Sequence, residues 1–197
     1  MSRMQTLFFA LALLALPLPA LAADLTVEQV RQILSTPGRE SRDALTGKDL
    51  SRLDLSRLDF QRANLARSSL FASKLVQANL SGARLSGANL NGAWLMGTDF
   101  SGADLSGATL MSVVILGGEI TARPNFRNAN LAGARVIAEL DGADLSHANL
   151  TRARLGVDIK NQGMGQMRTN LIRANLEGAD LTDADLNRTL LRFANLK

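Results

Sequence analysis

Aspartate recurs at a fixed place in a short repeated pattern, and this row of carboxylates is the strongest candidate for chemistry in the chain. Carboxylate oxygens could bind Ca²⁺ or act in general acid–base catalysis. The pattern itself, however, places Asp or Asn at this position, so we interpret the row as a solvated face. The recurring residues are Asp49, Asp54, Asp59, Asp99, Asp104, Asp144, Asp180 and Asp185.

Other catalytic groups are scarce in this sequence. The single histidine, His147, has no Ser or Cys constellation around it and no second histidine for metal binding. The Ser-Gly steps lack the strand–loop–helix context of a phosphate-binding loop. Cysteine is absent, which suits an oxidising compartment and excludes a disulfide scaffold. We therefore expect no catalytic residue, no metal and no cofactor, and we expect that the protein is not an enzyme.

A five-residue repeat must position these side chains. Every fifth residue from Leu50 to Ile120 is Leu, Phe or Ile. In a helix, five residues advance about 500°, so they would form no stripe. In a straight strand an odd spacing would alternate between faces. Small residues two positions earlier, such as Ala78 and Ala83, indicate short extended segments joined by corners. The pattern predicts a solenoid around a central core.

The segments ANLSGARLSGANLNGAWL and ANLEGADLTDADL resemble the pentapeptide-repeat family, whose consensus is A-(D/N)-L-x-x. The resemblance covers residues 46–197. It implies an all-β fold, a right-handed quadrilateral β-helix with roughly twenty residues per coil and about seven coils. The register breaks at 120–126 and at 136–140. It breaks again near 156–170, where we expect a bulge or short loop.

Residues 1–22 have the features of a secretory signal peptide. Arg3 supplies a positive charge, an apolar run extends from Leu7 to Leu16, and Ala20-Leu21-Ala22 is a small-x-small cleavage motif. We expect cleavage before Ala23 and a periplasmic or secreted bacterial protein with no membrane contact after cleavage. An uncleaved anchor is the alternative.

Residues 23–45 lack the repeat and predict an N-terminal capping helix with a linker. Thr26 to Gln29 (TVEQ) is a capping-box sequence. Pro37-Gly38 should end the helix. A solenoid needs its first coil covered, because an open edge invites association. A partner-binding helix is the alternative interpretation.

Counting twenty residues per coil assigns each repeat to one of four sides. The side that starts at Leu55 continues through Leu95, Ile115 and Val136, and its outward residues combine apolar side chains with cations. Such patches mark interaction sites, and Trp and Arg are favoured hot-spot residues. This side is therefore predicted to bind a protein partner or a second copy, unless the apolar residues are merely scattered. The candidate face contains Lys74, Val76, Trp94, Met96, Val114, Leu116, Arg135 and Ile137.

The neighbouring side, which starts at Leu50, is predicted to be partly apolar because it adds Phe71 and Met111. The other two sides are predicted to be polar, and one carries an acidic row of Asp59, Asp99, Glu119 and Glu139. The formal net charge of the whole chain is +4. This value is small for the length and gives only weak support for an anionic partner. We therefore expect no nucleic-acid partner.

Four arginines occupy equivalent corners of the first coil and form a candidate basic collar. A phosphate or an acidic partner could dock there. We favour a structural role, in which the aliphatic stems cover the end of the prism while the charges stay in water. The collar contains Arg52, Arg57, Arg62 and Arg67.

The favoured function is an exported, non-enzymatic interaction or scaffold module. A homodimer through the C-terminal coil is the alternative to fraying of that end, since Leu191, Phe193 and Leu196 would otherwise be exposed. Some members of the family are DNA mimics that modulate DNA gyrase, but an export signal and a basic charge disfavour that role here. An exported enzyme acting on polysaccharide is a third interpretation, which rests on analogy between folds alone.

Overall fold

The computed structural model describes residues 23–38, 43–115, 122–156 and 168–197. Several expectations lie outside these ranges: the signal peptide, the outward residue Leu116, the acid Glu119, and the loop over 157–167. No helix among the residues described is long and apolar enough to cross a membrane.

Helix α1 spans Val27–Ser35 and begins as its sequence predicts. The Thr26 hydroxyl accepts from the Gln29 amide at 3.2 Å, and the Gln29 side chain accepts from the Thr26 amide at 2.8 Å. These two bonds satisfy amides that the first turn leaves without partners. The capping box is thus confirmed, and Val30 on this helix is fully buried.

From Leu45 onward the chain winds into stacked coils joined by parallel backbone hydrogen bonds. Strand β1 (Thr109–Met111) pairs in parallel with β2 (Arg135–Ile137), and the remaining contacts between coils are single parallel bridges. The Leu50 amide donates to the Ser69 carbonyl at 2.7 Å, and the Ser69 amide donates to the Lys48 carbonyl at 2.9 Å. This reciprocal pattern repeats up the column.

Four ladders of bridges define four sides, which we name by the inward-facing residues at their centres. Each side also includes the two residues before and after each centre. Side A is centred on Leu50, Leu70, Leu90, Leu110, Val136, Leu155 and Leu186; side B on Leu55, Leu75, Leu95, Ile115, Leu140, Leu171 and Leu191; side C on Phe60, Leu80, Phe100, Phe126, Leu145, Leu176 and Leu196; and side D on Leu65, Leu85, Leu105, Leu131, Leu150 and Leu181.

The core is a pile of these central side chains, most of them with no exposed surface. The rings of Phe100 and Phe126 stack with centroids 5.0 Å apart. Burial of each Leu contributes about 1.5–3 kcal/mol. The alanine two positions before each central residue fills the narrow space beside the corner. Where Ser or Thr replaces it, as at Ser73 and Thr98, the hydroxyl donates to a backbone carbonyl at 2.7–2.8 Å.

The coil length changes after Ile115, and this corrects the side assignment made by counting. Asn79 bonds to Asp59 twenty residues earlier, but Asn125 bonds to Asp99 across 26 residues. The chain between Ile115 and Ala122 therefore holds six residues more than the standard spacing, where counting allowed for one. Residues 122–156 consequently lie one side behind their counted position.

Two further breaks occur where the sequence predicts them, but the second is longer than counting allowed, so residues 168–197 lie one side ahead of their counted position. Between Val136 and Leu140 one corner residue is missing, so the step from Asn125 to Asp144 is shorter than a standard coil. Asn170 bonds to Glu139 across 31 residues, and the excess lies within the part of the chain from Gly156 to Arg168. Both long insertions adjoin side B, one at each of its edges.

Candidate functional site

The aspartate row has a structural role at the corners. One carboxylate oxygen of Asp49 accepts from the amide of Ser51 at 2.9 Å, and Asp99 and Asp144 accept from Ser101 and Ser146 at the same distance. This side-chain-to-backbone bond, two residues apart, mimics a backbone turn. Asn serves equally well because its amide oxygen accepts in the same way. The carboxylates thus close the corners.

On side C the same residues also bond between coils. The amide nitrogen of Asn79 donates to Asp59 at 2.9 Å, that of Asn125 to Asp99 at 3.0 Å, and that of Asn195 to Asn175 at 3.0 Å. Asp and Asn therefore alternate, so that no two carboxylates of this row lie directly above one another. The acidic row expected from counting is corrected accordingly, because Glu139 lies on side B.

Hydrogen bonds also hold two of the carboxyls ionised. The Ser56 hydrogen bond lowers the pKa of Asp54 below its ordinary value of 3.8, with Lys74 assisting. Bonds from Thr182 lower the pKa of Asp180. A lowered pKa suits a permanent acceptor at a turn and opposes proton donation near neutral pH.

The single histidine lies at a corner with a positive φ of 57°. Its imidazole packs against Gly178 of the next coil, with Cε1 2.9 Å from the position that a Cβ there would take. Among the described residues, no group of three or more His, Cys, Asp or Glu side chains is placed to hold a metal ion. This packing gives His147 a structural role at the corner.

Side B carries five residues of the candidate interaction face: Lys74, Val76, Trp94, Met96 and Val114. Trp94 is 40% exposed, and the Lys74 amine lies 5.6 Å from its ring centroid. The same amine is 3.8 Å from an Asp54 carboxylate oxygen. Met96 is only 4% exposed, so it contributes little surface. The accessible part of this side is therefore centred on Lys74 and Trp94.

Two members of the candidate face lie on the neighbouring side. Arg135 pairs with Thr109 and Ile137 with Met111, which places both on side A. Ile137 is also only 8% exposed. The single-sided strip predicted by counting is wrong at these two positions, because the chain after Ile115 holds six residues beyond the standard spacing rather than one.

An exposed aromatic residue of side A completes the surface. Phe71 is 41% exposed and lies across the corner from Lys74. The corner between sides A and B carries the small residues Ala72 and Gly92 in successive coils, and a Cβ added at Gly92 would lie 3.8 Å from the Cα of Ala72. No long side chain therefore lies at this corner in these two coils. We call Phe71, Lys74 and Trp94 the aromatic corner.

The basic collar is present but points elsewhere than expected. All four arginines are exposed and have φ near +60°. Arg57 donates to Gln77 at 3.1 Å, and the stems of Arg62 and Arg67 lie over Gly82 and Gly87. The left-handed corner conformation directs these side chains along the column to the second coil. The expectation that they cover the end of the prism is therefore wrong.

A model of pentapeptide repeats matches this chain in eight copies, over residues 63–102, 73–111, 138–156 and 168–197. The chain belongs to the pentapeptide-repeat family. Proteins of this family fold as right-handed quadrilateral β-helices. No match was found among curated proteins.

Solved structures similar to this pentapeptide-repeat protein include three from photosynthetic organisms. HetL of Nostoc sp. strain PCC 7120, involved in heterocyst differentiation regulation, is 25% identical, with 76% of this chain and 87% of HetL covered and a TM-score of 0.37. A thylakoid-lumen protein of Arabidopsis thaliana is 29% identical, with 60% and 74% covered and a TM-score of 0.35. Rfr23 of Cyanothece 51142 is 25% identical, with 73% and 88% covered and a TM-score of 0.35.

The C-terminal coil of this pentapeptide-repeat protein is less covered than the others. Leu181, Leu186 and Leu191 are half-buried, whereas Leu196 is 57% exposed and Phe193 is 74% exposed. Within the described residues, the amides of these central leucines donate to no backbone carbonyl. The coil therefore presents both apolar surface and polar backbone groups.

Proposed function

We propose that this pentapeptide-repeat protein is an exported, non-enzymatic interaction or scaffold module built on a column of about seven coils. The observation that carries the proposal is the aromatic corner. Phe71 and Trp94 are large and exposed and lie on neighbouring sides in successive coils, on a column whose other sides carry mainly short polar residues at equivalent places. Exposed aromatic side chains beside a cation are typical of protein–protein hot spots.

The engagement of the carboxylates supports a role without catalysis. Asp99 and Asp144 each accept a corner amide and a side-chain amide. Hydrogen bonds lower the pKa of Asp54 and of Asp180, whereas general acid–base work needs a carboxyl whose pKa lies near the working pH. The side chains that the sequence offered for chemistry are thus engaged in the architecture.

The sequence of residues 1–22 supports export to the periplasm or beyond, and the absence of cysteine is compatible with an oxidising compartment. The gyrase-modulating alternative requires a cytoplasmic protein with an acidic surface. The net charge of +4 argues against it. A homodimer through the C-terminal coil or through the aromatic corner remains a further prediction.

Site-specific photo-crosslinking in cells tests the proposal. A photoreactive phenylalanine analogue replaces Trp94 in one strain and Ser101, on side C, in a control strain. We expect a discrete protein adduct at position 94, no such adduct at position 101, and recovery of both variants in the periplasmic or secreted fraction. Retention in the cytoplasm, or equal labelling from both positions, would sink the proposal.

A further inference from the structure

The four sides of the column differ in charge as well as in apolar character. Above the first coil, the described residues of sides A and B include six Lys or Arg and three carboxylates, a net charge of +3. Sides C and D include four Lys or Arg and six carboxylates, a net charge of −2. The column is therefore electrostatically two-sided, although the whole chain carries only +4.

The cations of sides A and B are accessible to a partner. Arg154, Arg188 and Arg192 are exposed, and none of the three forms an ion pair within the described residues. Lys74 and Arg173 of side B are paired with Asp54 and Asp141, at 3.8 and 3.9 Å. On sides C and D, Arg84 bonds to Asp43, and Arg152 lies 3.9 Å from Asp183. The excess of positive charge is thus on sides A and B, and the three arginines of the upper coils are open to a partner.

These cations extend the aromatic corner into a larger surface. The coils that carry Lys74 and Arg192 are five layers apart, a distance of about 24 Å at 4.8 Å per layer. A standard interface buries about 800 Å² on each partner, which corresponds to a square about 28 Å on a side. Phe193 repeats the pairing of an aromatic ring and a cation at the far end, with the Arg192 guanidinium 5.4 Å from its centroid.

From this distribution we infer that sides A and B dock an acidic protein, which contacts the aromatic corner and faces the arginines of the upper coils. The inference rests on the proposed function and names the chemistry of the partner. Arginine favours this occupant because its planar group pairs bidentately with carboxylates. Charge of one sign on one face also steers a complementary partner to that face.

Two matched double variants separate the faces. Arg154→Glu with Arg188→Glu reverses two cations of side A, and Arg127→Glu with Arg152→Glu reverses two cations of sides C and D. Each pair includes one corner arginine with positive φ, Arg188 or Arg152, and each changes the net charge equally. Circular dichroism establishes that both variants keep the fold of the parent.

The first probe is poly-L-glutamate. Its binding is measured by the fluorescence of Trp94, the single tryptophan of the chain. At low ionic strength we expect the side A reversal to weaken binding by about tenfold or more, and the control reversal to leave it nearly unchanged. Binding should also weaken as salt approaches about 0.15 M. Equal effects of the two reversals would overturn the inference.

The second probe is a vesicle of phosphatidylglycerol and phosphatidylcholine, because anionic lipid is the competing occupant for a cationic surface with exposed aromatic residues. We expect no co-sedimentation at about 0.15 M salt. Co-sedimentation with a blue shift of Trp94 that the side A reversal abolishes would assign the surface to lipid and overturn the inference.

Crosslinking distinguishes failure of the inference from failure of the proposed function. If the adduct at position 94 persists undiminished in the side A reversal, the acidic-partner inference fails and the interaction module stands. If position 94 gives no adduct, the proposed function fails as well. Loss of the adduct in the side A reversal, with retention in the control reversal, supports both.

Discussion

At the scale of single residues, the corners set the strictest requirements. Each corner residue adopts φ of about +54° to +69°, a conformation that favours glycine. Nevertheless, many corners carry Arg, Gln or Asn, since the side chain there points along the outside of the column. Which residues a corner tolerates depends on the side chain that faces it from the adjacent coil. At Gly178 the ring of His147 occupies the space, whereas at Gly107 nothing lies within 4 Å of an added Cβ.

Substitution at these two glycines should therefore have unequal effects. Gly107→Ala should cost about 1–2 kcal/mol, the general penalty of a left-handed alanine. Gly178→Ala should cost more, because the new methyl group also collides with the imidazole. Urea denaturation of the two variants measures the difference in unfolding free energy.

The double variant Gly178→Ala with His147→Ala is the control for this explanation. Removal of the ring should return the cost of Gly178→Ala to the value measured at Gly107. If the excess cost persists without the ring, contact with His147 is not its cause.

At the scale of elements, the helix and the first coil form one unit. In the inner coils the residue two positions before each central residue is usually Ala. In the first coil this position holds Leu53 on side B and Leu58 on side C. Both are partly buried against the core, as are Ile33 and Leu34 of the helix region. The larger side chains fill the end of the column, where the described residues contribute no earlier coil, and we expect α1 to pack on the apolar surface that they provide.

Leu58→Ala introduces the residue typical of the repeat and should nonetheless destabilise the protein. We expect a loss of about 2 kcal/mol from the lost apolar contacts, with faster hydrogen exchange at the amides of Val27–Ser35. Leu196→Ala, at the exposed opposite end, is the control and should leave exchange in the helix unchanged. Unaltered exchange in Leu58→Ala would show that the helix does not depend on this contact.

At the scale of the whole molecule, each coil contacts mainly its neighbours, so stability depends on position along the column. Inner coils are bonded on both faces. The coil at 181–197 receives bonds on one face only within the described residues, and its central leucines are incompletely buried. Local opening should therefore begin there.

Hydrogen exchange at low protein concentration should show this gradient directly. We expect the amides of Leu186 and Leu191 to exchange faster than those of Leu90 and Leu110, with protection rising toward the middle of the column. Protection of Leu186 and Leu191 equal to that of the inner coils would indicate that a second copy covers this end.

The amino-acid sequence was sufficient to predict the repeat, the core and the helix cap, because each depends on residues close together in the chain. The spacing from Leu50 to Ile115 specifies which side chains turn inward, and Thr26 with Gln29 forms the capping box. The same spacing assigned the sides correctly as far as Ile115. The role of the aspartates in closing the corners was not predicted from the sequence, although a side-chain hydrogen-bond acceptor recurs two residues before each corner.

The alignment of the two halves of the column, in contrast, required the tertiary structure. A sequence records the number of residues in an insertion but not the point at which the chain rejoins the stack, because that point depends on which layers pack best. Here the chain rejoins with Phe126 stacked on Phe100, and Arg135 and Ile137 lie on side A as a consequence. The separation of charge between the two halves became visible only with this alignment.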